Sequence, residues 1–258
     1  MENVNPWNLL RGRKKEQEEG LRLVERMYSQ EPNESHRMEL GVAYLWLRHY
    51  DSAFEHFSAA IHEDPRTGDN DYGMAGVAKW CLGKPNEAIS QWRAGLKAKY
   101  ARASGLDIRM PLLLFFGAVR QPETFDLKRA EKLLLERTVD TRIGNWPGPI
   151  ARMMLGQISE AEFQNYCQGV KSGDMGKNPF LRRSPRETGN CLWLAEFYKS
   201  VLALQRSASS DFQNSMRKLS DTSQSEWQDE NVFVSRLWHE EFFMARYEAA
   251  TSDESPYV

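Results

Sequence analysis

Two stretches of this chain, 35 residues apart, place small and bulky residues at the same intervals. Gly41, Ala53, Phe57 and Ala60 in the first are matched by Gly76, Ala88, Trp92 and Gly95 in the second. Small residues at such intervals let two helices approach closely, and a ring beside them fills the remaining space. Between the two helices the chain must turn, and Gly83 falls there in the second copy, at the offset Arg48 has in the first. Asp51 and Ser52 can cap the start of the second helix of the first copy, and Pro65 cannot continue that helix. A repeat of this kind constrains the fold more than composition does. Each hairpin keeps one face apolar until a neighbour covers it, so the chain must stack.

Across Glu34 to Thr67 the chain reads Leu40-Gly41, Tyr44, Tyr50, Ala53, Phe57, Ala60 and Pro65. These residues and their offsets resemble the tetratricopeptide repeat family, whose unit is about 34 residues. Arg37 stands where the family has an early Trp, and in the second copy Lys79 and Tyr100 replace the Tyr and the closing Pro. The resemblance implies an all-α, right-handed α-solenoid of helical hairpins. Its best repeats are residues 34–67 and 69–102, followed by degenerate C-terminal repeats and a terminal capping helix. A single domain is expected over 16–247, with a flexible segment at 1–15 and a tail at 248–258. Pro147-Gly148-Pro149-Ile150, Leu155 to Ser159 and Ala195 to Tyr198 are similar to stretches of bacterial tetratricopeptide lipoproteins, which act as adaptors. This chain has no Cys near its start, so no lipid anchor is expected.

The remaining elements can be read from periodicity and punctuation. A helix is predicted over Glu16 to Gln30, closed by Pro32. A third pair is predicted at Ile108 to Val119 and Leu127 to Val139, turning at Gln121-Pro122-Glu123. A short helix should open at Pro149-Ile150, and Ser159 with Glu162 makes a capping-box pattern for another. A loop is expected from Gly169 to Gly189. Helices should then form at Cys191 to Gln205, Asp211 to Leu219 and Asn231 to Tyr247.

Composition limits the function classes. The net charge is −2, which offers no basic field for nucleic acid. The longest apolar run, Leu112 to Phe116, is too short to span a bilayer. Three cysteines lie far apart, which suits a reducing compartment rather than a disulfide framework. With no signal-peptide pattern at the start, the expected location is the cytoplasm. The histidines His36, His49, His56, His62 and His239 lack metal-ligand spacing, and no phosphate loop or nucleophile motif is present. No enzyme activity, cofactor or metal is expected.

What remains is an interaction protein. The resemblance puts the first helix of each pair on a concave surface. Met38, Val42, Leu45 and Trp46 then form one part of an apolar strip, and Val77, Trp80 and Cys81 the other. Trp is a frequent binding anchor. The partner is a protein or peptide held in this groove or by the terminal helix, unless the chain's own C-terminal helices cover the strip. One version is an immunity or chaperone-like protein for a cognate toxin or effector, and the alternative is a peptide-sensing regulator. Arg182, Arg183 and Arg186, in the predicted loop, offer guanidinium forks to an acidic partner.

Overall fold

The computed structural model describes residues 5–63, 69–97, 108–138, 148–163, 185–221 and 240–253. Every regular element among them is helical. Among the described residues, no helix is long and apolar enough to cross a membrane. The chain divides into two compact units, Met1–Tyr100 with Ser223–Phe243, and Ala101–Thr222 with Met244–Val258.

The first unit contains α1 (Pro6–Leu10), α2 (Lys14–Gln30), α3 (Glu34–Trp46), α4 (Tyr50–Glu63), α5 (Asp69–Cys81) and α6 (Pro85–Gly95). Each packs against the next in sequence. Within the segment expected to be flexible, residues 6–10 form α1. The Asn5 side chain caps it by accepting the Trp7 N–H, Pro6 occupies the first turn, and Trp7 and Leu10 are buried. Asn followed by Pro is a strong helix start, because the cap fills one orphan amide and proline lacks another. Gly20 of α2 lets α1 approach, since a methyl there would lie 2.9 Å from the Pro6 carbonyl oxygen.

The paired small and bulky residues do in space what their spacing predicts. A methyl on Gly41 would sit 2.6 Å from the ring carbons of Phe57, so the α4 ring lies directly on the α3 backbone. In α5 and α6 the arrangement recurs: a methyl on Gly76 would overlap the Trp92 indole. The Trp92 N–H then donates to the Gly73 carbonyl at 3.1 Å. Ala53, Phe57, Ala88 and Trp92 are wholly buried.

The turns repeat as well. Arg48 and Gly83 take left-handed backbone conformations, with φ of 63° and 69°. His49 N–H donates to Tyr44 O at 2.9 Å, and Lys84 N–H to Lys79 O at 3.0 Å. These wide bonds over a left-handed residue satisfy carbonyls at the helix end and reverse the chain.

The second unit contains α7 (Arg109–Arg120), α8 (Leu127–Thr138), α9 (Gly148–Met154), α10 (Pro185–Gln205) and α11 (Ser209–Ser220). Here α10 packs against α7 and α9 as well as against its neighbour α11. Helix α7 is buried from Met110 to Ala118, as a helix that is apolar all round must be. Phe116 meets Phe197 of α10 with ring centroids 5.6 Å apart. The Trp193 N–H donates to the Leu219 carbonyl of α11 at 3.2 Å. Ser159 and Glu162 form the predicted capping box, with Ser159 N–H to the Glu162 carboxylate at 2.7 Å and Glu162 N–H to the Ser159 hydroxyl at 3.1 Å. The left-handed turn reappears at Ser207, φ 70°, where Ala208 N–H donates to Ala203 O at 3.0 Å. It appears again at Gly156, φ 66°, where Gln157 N–H donates to Arg152 O at 2.8 Å.

Helix α12 (Glu240–Asp253) is grouped by its first turn with the first unit and by the rest with the second. It runs further than predicted, through residues read as the start of a tail. Residues 231–239, where the last helix was expected to begin, lie outside the described residues. Within the second unit, Glu248 of this helix is buried and paired with Arg120 at 2.8 Å. The Arg120 guanidinium also sits 5.5 Å from the Phe212 ring centroid.

Candidate functional site

The apolar strip is real as a set of side chains but not as an open groove. Met38 and Trp46 are each 8% exposed, and Val42 and Leu45 are wholly or nearly buried. Val77, Trp80 and Cys81 are equally buried. All seven are therefore interior residues, and the strip is not an open surface. Two contacts give the physical reason at Trp46. Its N–H donates to the Leu10 carbonyl at 2.7 Å, which ties α1 to α3. Its ring stacks on Phe242 of α12, centroids 6.1 Å apart and planes 11° from parallel. Trp80 instead lies against Trp92 of its own hairpin, 5.7 Å away.

Periodicity could not find these covers, because both lie far along the chain from α3. The signal for α1 was present at Asn5-Pro6, while nothing local to Phe242 points to Trp46.

The arginine group is not assembled by the described structure. Arg182 and Arg183 lie outside the described residues. Arg186 falls in the first turn of α10, so helix begins at Pro185 where a loop was predicted. Proline at the opening of a helix explains the earlier start.

An open cleft of about 520 Å³ lies in the second unit, and no sequence pattern announced it. Buried Met153 and Leu202 give it an apolar floor. Exposed Glu160, Glu196 and Arg206 stand at its edge, with Lys199 beside Glu196 at 3.2 Å. Glu160 comes shortly after the left-handed Gly156, and Arg206 immediately before the left-handed Ser207. Two tight turns therefore hold opposite charges near one apolar floor. Such a surface has the character of a binding patch, apolar inside and polar at its rim.

His56 is held in a cluster of side chains from three helices. Among the described residues no group of three or more His, Cys, Asp or Glu side chains is placed to hold a metal ion. His56 of α4 stacks on Tyr44 of α3 at 5.3 Å and takes the edge of Tyr28 of α2 at 6.0 Å. Tyr44 donates its hydroxyl to Glu25 of α2 at 2.9 Å. Burial, with the Glu25 bond and charge adding to it, pushes the Tyr44 phenol up to about 12. Burial lowers the His56 imidazole, helped by Arg37 and opposed by Glu55 and Glu25. These groups clamp three successive helices together.

Compared with protein-family models and with curated proteins, the sequence matches none.

Proposed function

We propose that this chain is a cytoplasmic interaction protein of tetratricopeptide type, an α-solenoid adaptor that holds a segment of a partner protein. The observation that carries this reading is the recurrence, 35 residues on, of one packing device: Gly41 under Phe57, then Gly76 under Trp92. The hairpin turns at Arg48 and Gly83 repeat with it. Such helix pairs serve mainly to present surfaces to other chains.

With the strip buried, the cleft of the second unit offers a partner an accessible place. It suits a short segment bearing an apolar residue flanked by charges of both signs. The apolar side chain would meet Met153 and Leu202, and the charges would meet Arg206, Lys199 and Glu160, which also line the cleft. Its volume admits a few side chains rather than a whole helix, which favours a peptide-like stretch of a toxin, an effector or a signal.

A photo-crosslinking residue at Ser215, which lines the cleft, tests this against one at exposed Glu19 on α2. The expected result is one stoichiometric protein adduct from the cleft position, lost in the Lys199→Glu, Arg206→Glu double variant. Equal labelling from Glu19, or an adduct indifferent to the charge reversal, would sink the proposal.

A further inference from the structure

The cleft of the second unit is open, and its rim charges differ in what already engages them. Lys199 holds the Glu196 carboxylate at 3.2 Å, so these two together add no net charge to the rim. The nearby Glu162 carboxylate is taken by the Ser159 N–H and hydroxyl, both at 2.7 Å. Glu160 and Arg206 differ from these. Both are exposed cleft residues, and among the described residues neither side chain has an ion pair or a hydrogen bond. A free carboxylate and a free guanidinium at the rim of one apolar floor are complementary to a ligand that carries a cation, an anion and an apolar group.

The shape sets the length of that ligand. Glu196, Lys199, Ala203 and Arg206 line the cleft at steps of three and four residues, so they form one stripe along α10. Ten residues of helix advance about 15 Å, which an extended chain spans in about five residues.

We propose that the cleft reads a stretch of about five extended residues of a partner chain, neutral overall, with one acidic and one basic side chain flanking an apolar one. This rests on the reading of the cleft as the partner site and deepens it. Arg206 takes the acid, Glu160 takes the base, and Met153 and Leu202 take the apolar side chain. Because the two free rim charges are opposite, the cleft also reads chain direction. Reversing the order of acid and base carries each toward the wrong partner, and a segment with two like charges meets one repulsion in either direction.

The test titrates the full chain with end-blocked pentapeptides, followed by the NMR shifts of the amides that line the cleft. The mixed-charge probes are Glu-Ser-Leu-Ser-Lys and Lys-Ser-Leu-Ser-Glu, and the like-charged probes carry Glu or Lys at both ends. One mixed order should bind about tenfold more tightly than the other and than either like-charged probe. Exchanging the rim charges, Glu160→Lys with Arg206→Glu, keeps the net charge and should invert the preference between the two orders. Both side chains are exposed and unpaired, so the exchange removes no contact on which folding depends. Ser in place of the probe's Leu should abolish binding.

Equal affinity for the four charged probes, a preference that the exchange leaves standing, or a Ser probe that binds as well as the Leu probe would each overturn the proposal. If no probe binds while the Ser215 adduct forms, the cleft holds a partner by other chemistry and the proposal falls alone. If the probes bind as expected and no protein adduct forms, the partner-protein reading falls while the recognition chemistry stands.

Discussion

The two units use the same turn and different cores. Arg48 and Gly83 in the first unit, and Gly156 and Ser207 in the second, all end a helix in a left-handed residue bridged by a wide backbone bond. Beyond the turn the units diverge. In the first unit a ring sits on a bare glycine, so neighbouring helices lock closely and each packs against the next. In the second, Ser200 stands seven residues before the turn, as Gly41 and Gly76 do, but Met216 replaces the ring nine residues after it. There α10 becomes a hub for α7, α9 and α11, and aromatic pairs hold the core beside an ion pair whose Glu248 is buried. The turn sets how a hairpin reverses. The small–large match sets whether hairpins stack in simple order.

The largest test of this contrast is Trp92→Ala. It removes a fully buried ring and leaves the Gly73 carbonyl without its donor, and should cost about 3–5 kcal/mol in urea denaturation. Gly76→Ala, which overfills the same contact, should cost about 1–3 kcal/mol. If both changes are nearly silent, the glycine–ring fit is not what organises the first unit.

In the second unit, Arg120→Met removes the guanidinium that lies 2.8 Å from the buried Glu248 carboxylate and should cost about 3 kcal/mol. The Arg120→Met, Glu248→Leu double variant should recover most of that loss. A double variant as unstable as the single one would show that packing, not charge burial, decides this core.

A smaller effect is confined to the first unit's clamp. Well above pH 6.5 the His56 imidazole is neutral in both folded and unfolded chains. As pH falls below 6.5 the unfolded chain protonates first, because burial holds the folded imidazole lower, so stability declines until the folded imidazole protonates too. His56→Gln should flatten that acid limb. At the other end, the phenol of Tyr44 is raised, so its contribution is whole below pH 10 and is lost as pH climbs toward about 12. Tyr44→Phe should remove the alkaline limb. pH-resolved unfolding reads both.

The smallest effect sharpens the likeness. Arg48→Gly and Ser207→Gly should each raise stability by up to about 1 kcal/mol, since a side chain strains a left-handed residue. Glycine at Ser207 lowering the unfolding midpoint would break the equivalence of the turns.

Legibility tracked the range of the interactions. Helices α2 to α8 could be read from caps, prolines and apolar spacing, because those signals act within a few residues. The Ser159–Glu162 capping box was readable for the same reason. The Pro185 start of α10 and the Asn5-Pro6 start of α1 carry local signals, yet both fell in stretches read as loop and flexible segment. The cleft was not readable, since Met153 and Leu202 are brought together only by the packing of α9 against α10.

By itself, the order of residues determined that this chain forms helices, where most of them break, and which residues of the first unit pair as small and large. Those choices depend on backbone conformation and side-chain volume within one hairpin. Tertiary structure alone decided that Met38, Val42, Leu45, Trp46, Val77, Trp80 and Cys81 are inside. For Trp46 the reason is distance along the chain: its burial depends on Leu10 and Phe242, and periodicity within α3 carries no record of what will cover its face.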